Sequence, residues 1–135
     1  MEQKDYLLRE IEKTGKMMSA IRQMIFGGGQ DNLSITIEQQ IVDLKGMLLN
    51  NANLDFDQLM NMDSKGTDEY LSDLRGFSVE NIELLAETIS EIGHKHDSTD
   101  LLEKALQLFE ICNLRDRTFS IEREAKIGKI KSTLQ

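Results

Sequence analysis

Apolar residues recur at spacings of three and four along most of the chain, and this period indicates amphipathic helices. The clearest segments predict helices over residues 3–26, 34–51, 79–95, 98–114 and 119–133. Between the second and third of these, the segments NLDFDQLMNM and TDEYLSDLRG indicate two short helices. The chain contains no proline, a residue that breaks helices, which agrees with this pattern. We therefore predict an all-α fold of antiparallel helical hairpins, with about five to six helices.

The predicted helices divide a single domain, residues 1–135, into three parts. An N-terminal hairpin covers residues 1–51, short connecting helices cover 52–77, and a hairpin with a capping helix covers 78–135. Glycines at positions 66 and 76 are expected to interrupt the connecting helices. Small polar residues that precede apolar runs are the predicted N-terminal caps. They are Thr67, Ser78, Asp97 or Ser98, and Thr118 or Ser120.

Three consecutive glycines, Gly27 to Gly29, follow the first predicted helix. A glycine in the left-handed conformation commonly ends a helix, so we interpret Gly27 as a helix stop. Asp31, Asn32 or Ser34 is then the predicted cap of the second helix. A phosphate-binding loop instead needs the N-terminus of a following helix and a nearby lysine. Because these glycines come after a helix rather than a strand, the helix-stop interpretation is favoured.

The charge of the chain argues against two classes of partner. The net charge is −8, yet residues 115–135 carry six basic and three acidic groups. Since an acidic protein repels nucleic acids and anionic membranes, we expect neither as a partner. No apolar run reaches the roughly 20 residues of a membrane span, and the first residues lack the apolar centre of a signal peptide. Together with a single cysteine, Cys112, these features predict a cytoplasmic protein.

Bulky and small residues alternate at set positions between residues 86 and 119. The positions concerned are Ile89, Ile92, Gly93, Ala105, Phe109 and Cys112. With them the stretch resembles one tetratricopeptide repeat, a helical hairpin of about 34 residues in which small residues let two helices approach. His96 and Arg117 depart from the repeat, where an aromatic residue and a proline are usual. The resemblance implies a right-handed helical array that presents a groove to a protein or peptide.

Two longer segments carry a second resemblance. The segments are KDYLLREIEKTGK near the start and LLEKALQLFEICNLRDRTFSIERE near the end. They are similar to a group of small bacterial proteins without an assigned activity. This resemblance implies a bacterial source and a helical-repeat fold, and it supplies no catalytic residues.

The segment HKHD, residues 94–97, comes closest to a metal site. On a helix, His94 and His96 point roughly 200° apart, so they bind one metal only if the turn unwinds and Asp97 joins them. Histidines near a helix C-terminus also interact favourably with its negative end, and we favour that interpretation. We predict no metal and no cofactor. A metal-dependent hydrolase that uses these three residues remains an alternative.

Three arginines surround an aromatic residue in NLRDRTFSIERE, namely Arg115, Arg117 and Arg123 around Phe119. Such a cluster can clamp a carboxylate or phosphopeptide, and ion pairs within the chain explain it equally well. With His96, the three arginines are the predicted partner-binding residues. No catalytic residues are predicted, and Cys112 is interpreted as a buried small residue rather than a reactive thiol.

These residues predict a helical-repeat module that binds a protein or peptide, with self-association as one form of that binding. The alternative is a structural homo-oligomer in which the basic C-terminal helix docks on the acidic body of a second copy.

Overall fold

The computed structural model describes residues 2–26 and 36–135, which are helical and contain no strand. The helices in these ranges are α1 (Glu2–Phe26), α2 (Ile37–Ala52), α3 (Phe56–Asn61), α4 (Ser64–Asp73), α5 (Val79–Lys95), α6 (Thr99–Asp116) and α7 (Ile121–Leu134). The all-α prediction is confirmed. The described residues form seven helices rather than five to six: all five longer helices are present, and so are both short connecting helices, each with its own cap. The predictions for Gly27 to Gly29, Asp31, Asn32 and Ser34 lie outside the described residues.

Local capping chemistry fixes the starts of the last three helices where the sequence predicts them. The hydroxyl oxygens of Ser78, Ser98 and Ser120 each accept a hydrogen bond from a backbone N–H in the first turn of the helix that follows. Helix α2 begins at Ile37, three residues later than predicted, because Thr36 is its cap. Serine caps therefore set the starts of the last three helices, and a threonine cap sets the start of α2.

The predicted role of Thr67 as a cap is wrong. Helix α4 starts at Ser64 and is capped by Asp63, whose carboxylate accepts the N–H of Gly66 at 2.7 Å. Gly66 therefore lies inside α4 rather than between helices. Thr67 is fully buried, and its hydroxyl donates to Gln107 Oε1 on α6 at 2.9 Å. The Thr67 hydroxyl, which was predicted to cap a helix, therefore binds α6 instead.

Among the described helices, α5 and α6 make the most extensive contact with each other. A Cβ at Gly93 would lie 3.0 Å from the Leu102 side chain and 3.2 Å from Leu101 Cβ, so a side chain at this position would force the two helices apart. The apolar positions of both helices are buried in this interface. They include Leu85, Ile89, Ile92, Ala105, Leu108, Phe109 and Cys112.

Helix α1 lies along α5, and Gly15 marks the closest point of this contact. A Cβ at Gly15 would lie 3.1 Å from Asn81 Oδ1. Asn81 in turn donates to the carbonyl oxygens of Ile11 and Gly76, each at 2.8 Å. A side chain at Gly15 would therefore force Asn81 to shift. In the first turns of α1, Tyr6, Leu7 and Leu8 are exposed.

Helix α7 packs on α6 of its own chain. Ile127 and Ile130 are buried in the core that the other helices share. Within the described residues, no helix combines the length and the hydropathy that crossing a membrane requires.

Candidate functional site

Arg123 is the most buried of the predicted partner-binding residues, with a side chain only 5% exposed. Its guanidinium donates to Glu83 at 2.7 Å, to Asp116 at 2.9 Å and to Asn113 Oδ1 at 3.0 Å. These bonds raise the pKa of Arg123, and they hold the pKa of the Asp116 carboxyl below its ordinary value. Arg123 therefore fixes the first turn of α7 to α5 and α6, and little of it faces outward.

Arg115 and His96 also take part in contacts within the chain. Arg115 donates to the Asp68 carboxylate at 2.9 Å and to the Ser72 hydroxyl at 2.7 Å, which joins the end of α6 to α4. His96 Nε2 lies within hydrogen-bond distance, 2.8 Å, of the Gln40 side-chain amide on α2. Both residues connect secondary-structure elements that are far apart in sequence.

Arg117 is different, because it is exposed and makes no ion pair among the residues the structure describes. It ends α6 with φ 56° and ψ 16°, the left-handed conformation that favours glycine. A residue with a Cβ costs roughly 1 kcal/mol there. The arginine side chain is thus held at a position where the backbone alone would prefer glycine.

Three large apolar side chains surround Arg117 in sequence. Leu114 is 75% exposed, Phe119 78% and Ile121 76%, the three highest values among the large apolar residues that the structure describes. Single exposed apolar residues are ordinary on protein surfaces, whereas three within eight positions of one turn are informative. We call Leu114, Arg117, Phe119 and Ile121 the turn patch.

Part of the turn patch could be found from the sequence. Leu114 falls off the apolar face of α6, which runs through Leu101, Leu108 and Cys112, so helical periodicity alone places it on the outside. The exposure of Ile121 has no such signal, because it lies on a helix with buried isoleucines at positions 127 and 130. Ile121 is the first residue of α7, two positions before Arg123.

His94 and His96 face different parts of the molecule. His94 lines a pocket with Lys126 and Lys129 of α7, whereas His96 contacts α2 through Gln40. Asp97 is an exposed residue with φ 53° in the turn between α5 and α6. In the described residues, no three histidine, cysteine, aspartate or glutamate side chains are arranged to hold a metal ion. His94, His96 and Asp97 therefore do not converge on one metal site in the described structure.

Lys104 is a buried cation that the sequence analysis did not single out. Its ammonium donates to the carbonyl of Met62 at 3.0 Å, to Thr67 Oγ1 at 2.9 Å and to Gln107 Oε1 at 2.5 Å. Burial lowers the pKa of Lys104, although nearby Asp63 opposes this effect. Since all three N–H groups have acceptors, Lys104 joins α6 to the turn between α3 and α4 rather than acting as a free amine.

Cys112 is buried between α5 and α6, with its Sγ 3.6 Å from the carbonyl oxygen of Val79. Burial, more than any nearby charge, raises the pKa of its thiol to about 12. A thiol with this pKa is almost entirely protonated at neutral pH, and only the thiolate is a good nucleophile. The geometry gives Cys112 no catalytic role.

Comparison of the chain with protein-family models, with curated proteins and with solved structures gives no significant match.

Proposed function

We propose that the chain is a helical protein-interaction module, and that its turn patch binds a partner segment with apolar side chains and one carboxylate. The observation that carries the proposal is the exposure of Leu114, Phe119 and Ile121 close in sequence to Arg117, whose guanidinium has no ion pair among the described residues. Apolar anchors beside an arginine are the composition typical of protein-binding surfaces.

The backbone at Arg117 supports the choice of a carboxylate. A glycine would relieve the left-handed strain at this helix end and would need no compensation. The presence of an arginine there is explained if its guanidinium forms a bidentate pair with a partner's carboxylate. The partner segment is therefore expected to place an aspartate or glutamate against Arg117 and apolar side chains against Phe119.

A tetratricopeptide-like arrangement of the C-terminal hairpin is part of the proposal. The close contact at Gly93 and the burial of Ala105, Phe109 and Cys112 support it, because these are the positions that the resemblance requires to be small or bulky. We also place the module in the bacterial cytoplasm, and we expect no mobility shift with nucleic acid at physiological salt.

A partner other than a second copy is preferred because of how α7 uses its charges. Arg123 pairs with Glu83 and Asp116, and Lys126 pairs with Glu87, all on the same chain. In the homo-oligomer alternative, the cations of α7 dock on the acidic body of a second copy. Two of these cations, Arg123 and Lys126, are already paired within their own chain. The net charge of −8 also opposes the approach of two copies.

The test selects binding peptides from a random library against the wild-type protein and measures their affinity for three variants. Arg117→Gly should raise the free energy of unfolding by about 1 kcal/mol. The same substitution should nevertheless lower the affinity for the selected peptides by about tenfold or more. Loss of binding in a more stable variant separates the guanidinium's role from any folding defect. Phe119→Ser should weaken binding similarly, whereas Val42→Ser, at an exposed position on α2, should not.

Selected peptides that lack acidic residues, or that bind Arg117→Gly and Phe119→Ser as well as wild type, would refute the proposal. A dimer in sedimentation experiments that dissociates in the Phe119→Ser variant would replace it with self-association through the turn patch.

A further inference from the structure

A pocket of about 310 Å³ lies where α1, α5 and α7 meet. The α7 residues that line it come after the turn patch in sequence. Its charged and titratable lining residues are Arg22 of α1, Glu87, Glu91 and His94 of α5, and Lys126 and Lys129 of α7. The volume is at the lower end of the range for small-molecule sites, so it suits a small metabolite rather than a nucleotide. We call it the three-helix pocket.

Ion pairs neutralise most of the charge in the three-helix pocket. Arg22 pairs with Glu91 and also donates to Thr88, and Lys126 pairs with Glu87. Lys129 has no carboxylate partner among the described residues. Three cations against two carboxylates leave the pocket with a net positive charge, in a chain whose net charge is −8.

His94 adds a second group without a partner. Its Nε2 is shielded from solvent and has no hydrogen bond in the described structure. Burial first, and then the nearby Lys129 ammonium, lower the pKa of His94, so the ring is neutral near pH 7. A buried polar nitrogen without a partner costs about 1–3 kcal/mol, a cost that a bound group with a matching donor or acceptor would remove.

We propose that the three-helix pocket binds a small anion that carries a phosphate group, with Lys129 and His94 as its direct partners. Phosphate oxygens match the N–H donors of an ammonium and an imidazole, and a phosphate monoester remains anionic at neutral pH. The paired cations Arg22, on α1, and Lys126, on α7, also line the pocket, so its net charge remains favourable for an anion. A metal cation is disfavoured, because cations outnumber carboxylates in this pocket.

Nuclear magnetic resonance of the two histidine rings tests the proposal with inorganic phosphate and with glycerol phosphate at pH 7 and constant ionic strength. His94 lines the pocket, while His96 contacts Gln40 and serves as an internal reference. A saturable shift of the His94 resonances without a shift of His96 is the expected result. Tighter binding of glycerol phosphate than of inorganic phosphate would identify a phosphate monoester as the ligand, and equal binding would identify phosphate itself.

Variants of two lysines on α7 locate the effect. Lys129→Ala should weaken binding about tenfold, since it removes a charged donor. Lys131→Ala is the matched control, because Lys131 is also exposed on α7 but does not line the pocket, and it should bind like wild type. No saturable shift, equal loss in both variants, or tighter binding of succinate than of either phosphate would overturn the proposal.

Discussion

Gly76, in the turn between α4 and α5, lies against Thr14 of α1 with no room for a side chain. A Cβ at this position would be 2.8 Å from Thr14 Cβ and 3.1 Å from the carbonyl oxygen of Glu10. Real Cβ atoms do not approach other atoms at the shorter distance, and the carbonyl belongs to the α1 backbone, which moves only with the helix. Gly76 thus sets how closely α1 approaches the start of α5.

Gly76→Ala is therefore expected to lower the free energy of unfolding by about 3 kcal/mol, the upper range for overpacking a well-packed site. Urea unfolding measured by circular dichroism checks this. Addition of Thr14→Ala should recover only part of the loss, because the Cβ of residue 14 remains in the way.

Gly46→Ala is the matched control for this substitution. Gly46 lies in α2, and a Cβ there would meet no atom within 4 Å. The alanine should stabilise the protein by about 0.5–1 kcal/mol through helix propensity. If Gly76→Ala proved as harmless as Gly46→Ala, the close contact between the turn and α1 would be wrong.

Asp116 links acid stability to the attachment of α7. Its hydrogen bonds from Arg123, and then from the Thr118 backbone, lower its pKa below the ordinary value of 3.8. The unfolded chain therefore binds a proton on this carboxyl at a higher pH than the folded chain does. The stabilisation is fully present above about pH 4 and is lost as the pH falls through the folded pKa.

Asp116→Asn should be less stable than wild type at pH 7 and should lose less stability than wild type below about pH 4. Thermal unfolding across this pH range, followed by circular dichroism, measures both effects. Glu110→Gln, an exposed change on α6, is the control for the loss of one carboxylate. If the stability of wild type and of Asp116→Asn fell equally below about pH 4, the Arg123 contact would not hold the carboxylate in solution.

Local signals and tertiary contacts differ in how far the sequence reveals them. The starts of α5, α6 and α7 were predictable because a serine cap and an apolar period lie within a few residues of each other. Thr67 carries the same local signal as those serines, yet its partners Lys104 and Gln107 lie 37 and 40 residues away. No local pattern distinguishes a hydroxyl that caps a helix from one that a distant lysine requires.

The candidate site shows the same limit. The arginines of NLRDRTFSIERE are alike in sequence, but their environments separate them, since Arg115 and Arg123 meet carboxylates on α4 and α5 while Arg117 is exposed. Periodicity could reveal the outward position of Leu114. The three-helix pocket could not be anticipated, because its cations come from helices roughly 100 residues apart in sequence and meet only through the packing of α1 and α7 on the central hairpin.

Cys112 is expected to resist thiol reagents in the folded protein. With a pKa raised to about 12 and a buried sulfur, its thiolate fraction at pH 8 is on the order of 10³-fold below that of an ordinary cysteine. Reaction with a disulfide reagent should therefore be slow in buffer and fast in denaturant. As the only cysteine in the chain, it gives an unambiguous signal.

An exposed thiol provides the control for this measurement. Ser132→Cys, in the last turn of α7, should react at an ordinary rate in the folded state while Cys112 does not. Comparable rates for the two thiols under native conditions would show that the α5–α6 interface opens readily.

His94 is expected to make the protein less stable in mild acid. Burial and the Lys129 ammonium lower its pKa from the ordinary value of 6.5, so the unfolded chain takes up a proton before the folded chain does. Stability is unaffected by this group above about pH 6.5 and falls as the pH drops from there towards the folded pKa.

His94→Gln removes the titration and keeps a polar side chain of similar size. Urea unfolding between about pH 7.5 and 5 should therefore show a smaller loss of stability in His94→Gln than in wild type. Equal losses would mean that the His94 ring is solvated rather than held beside Lys129, and the partnerless nitrogen in the three-helix pocket would lose its significance.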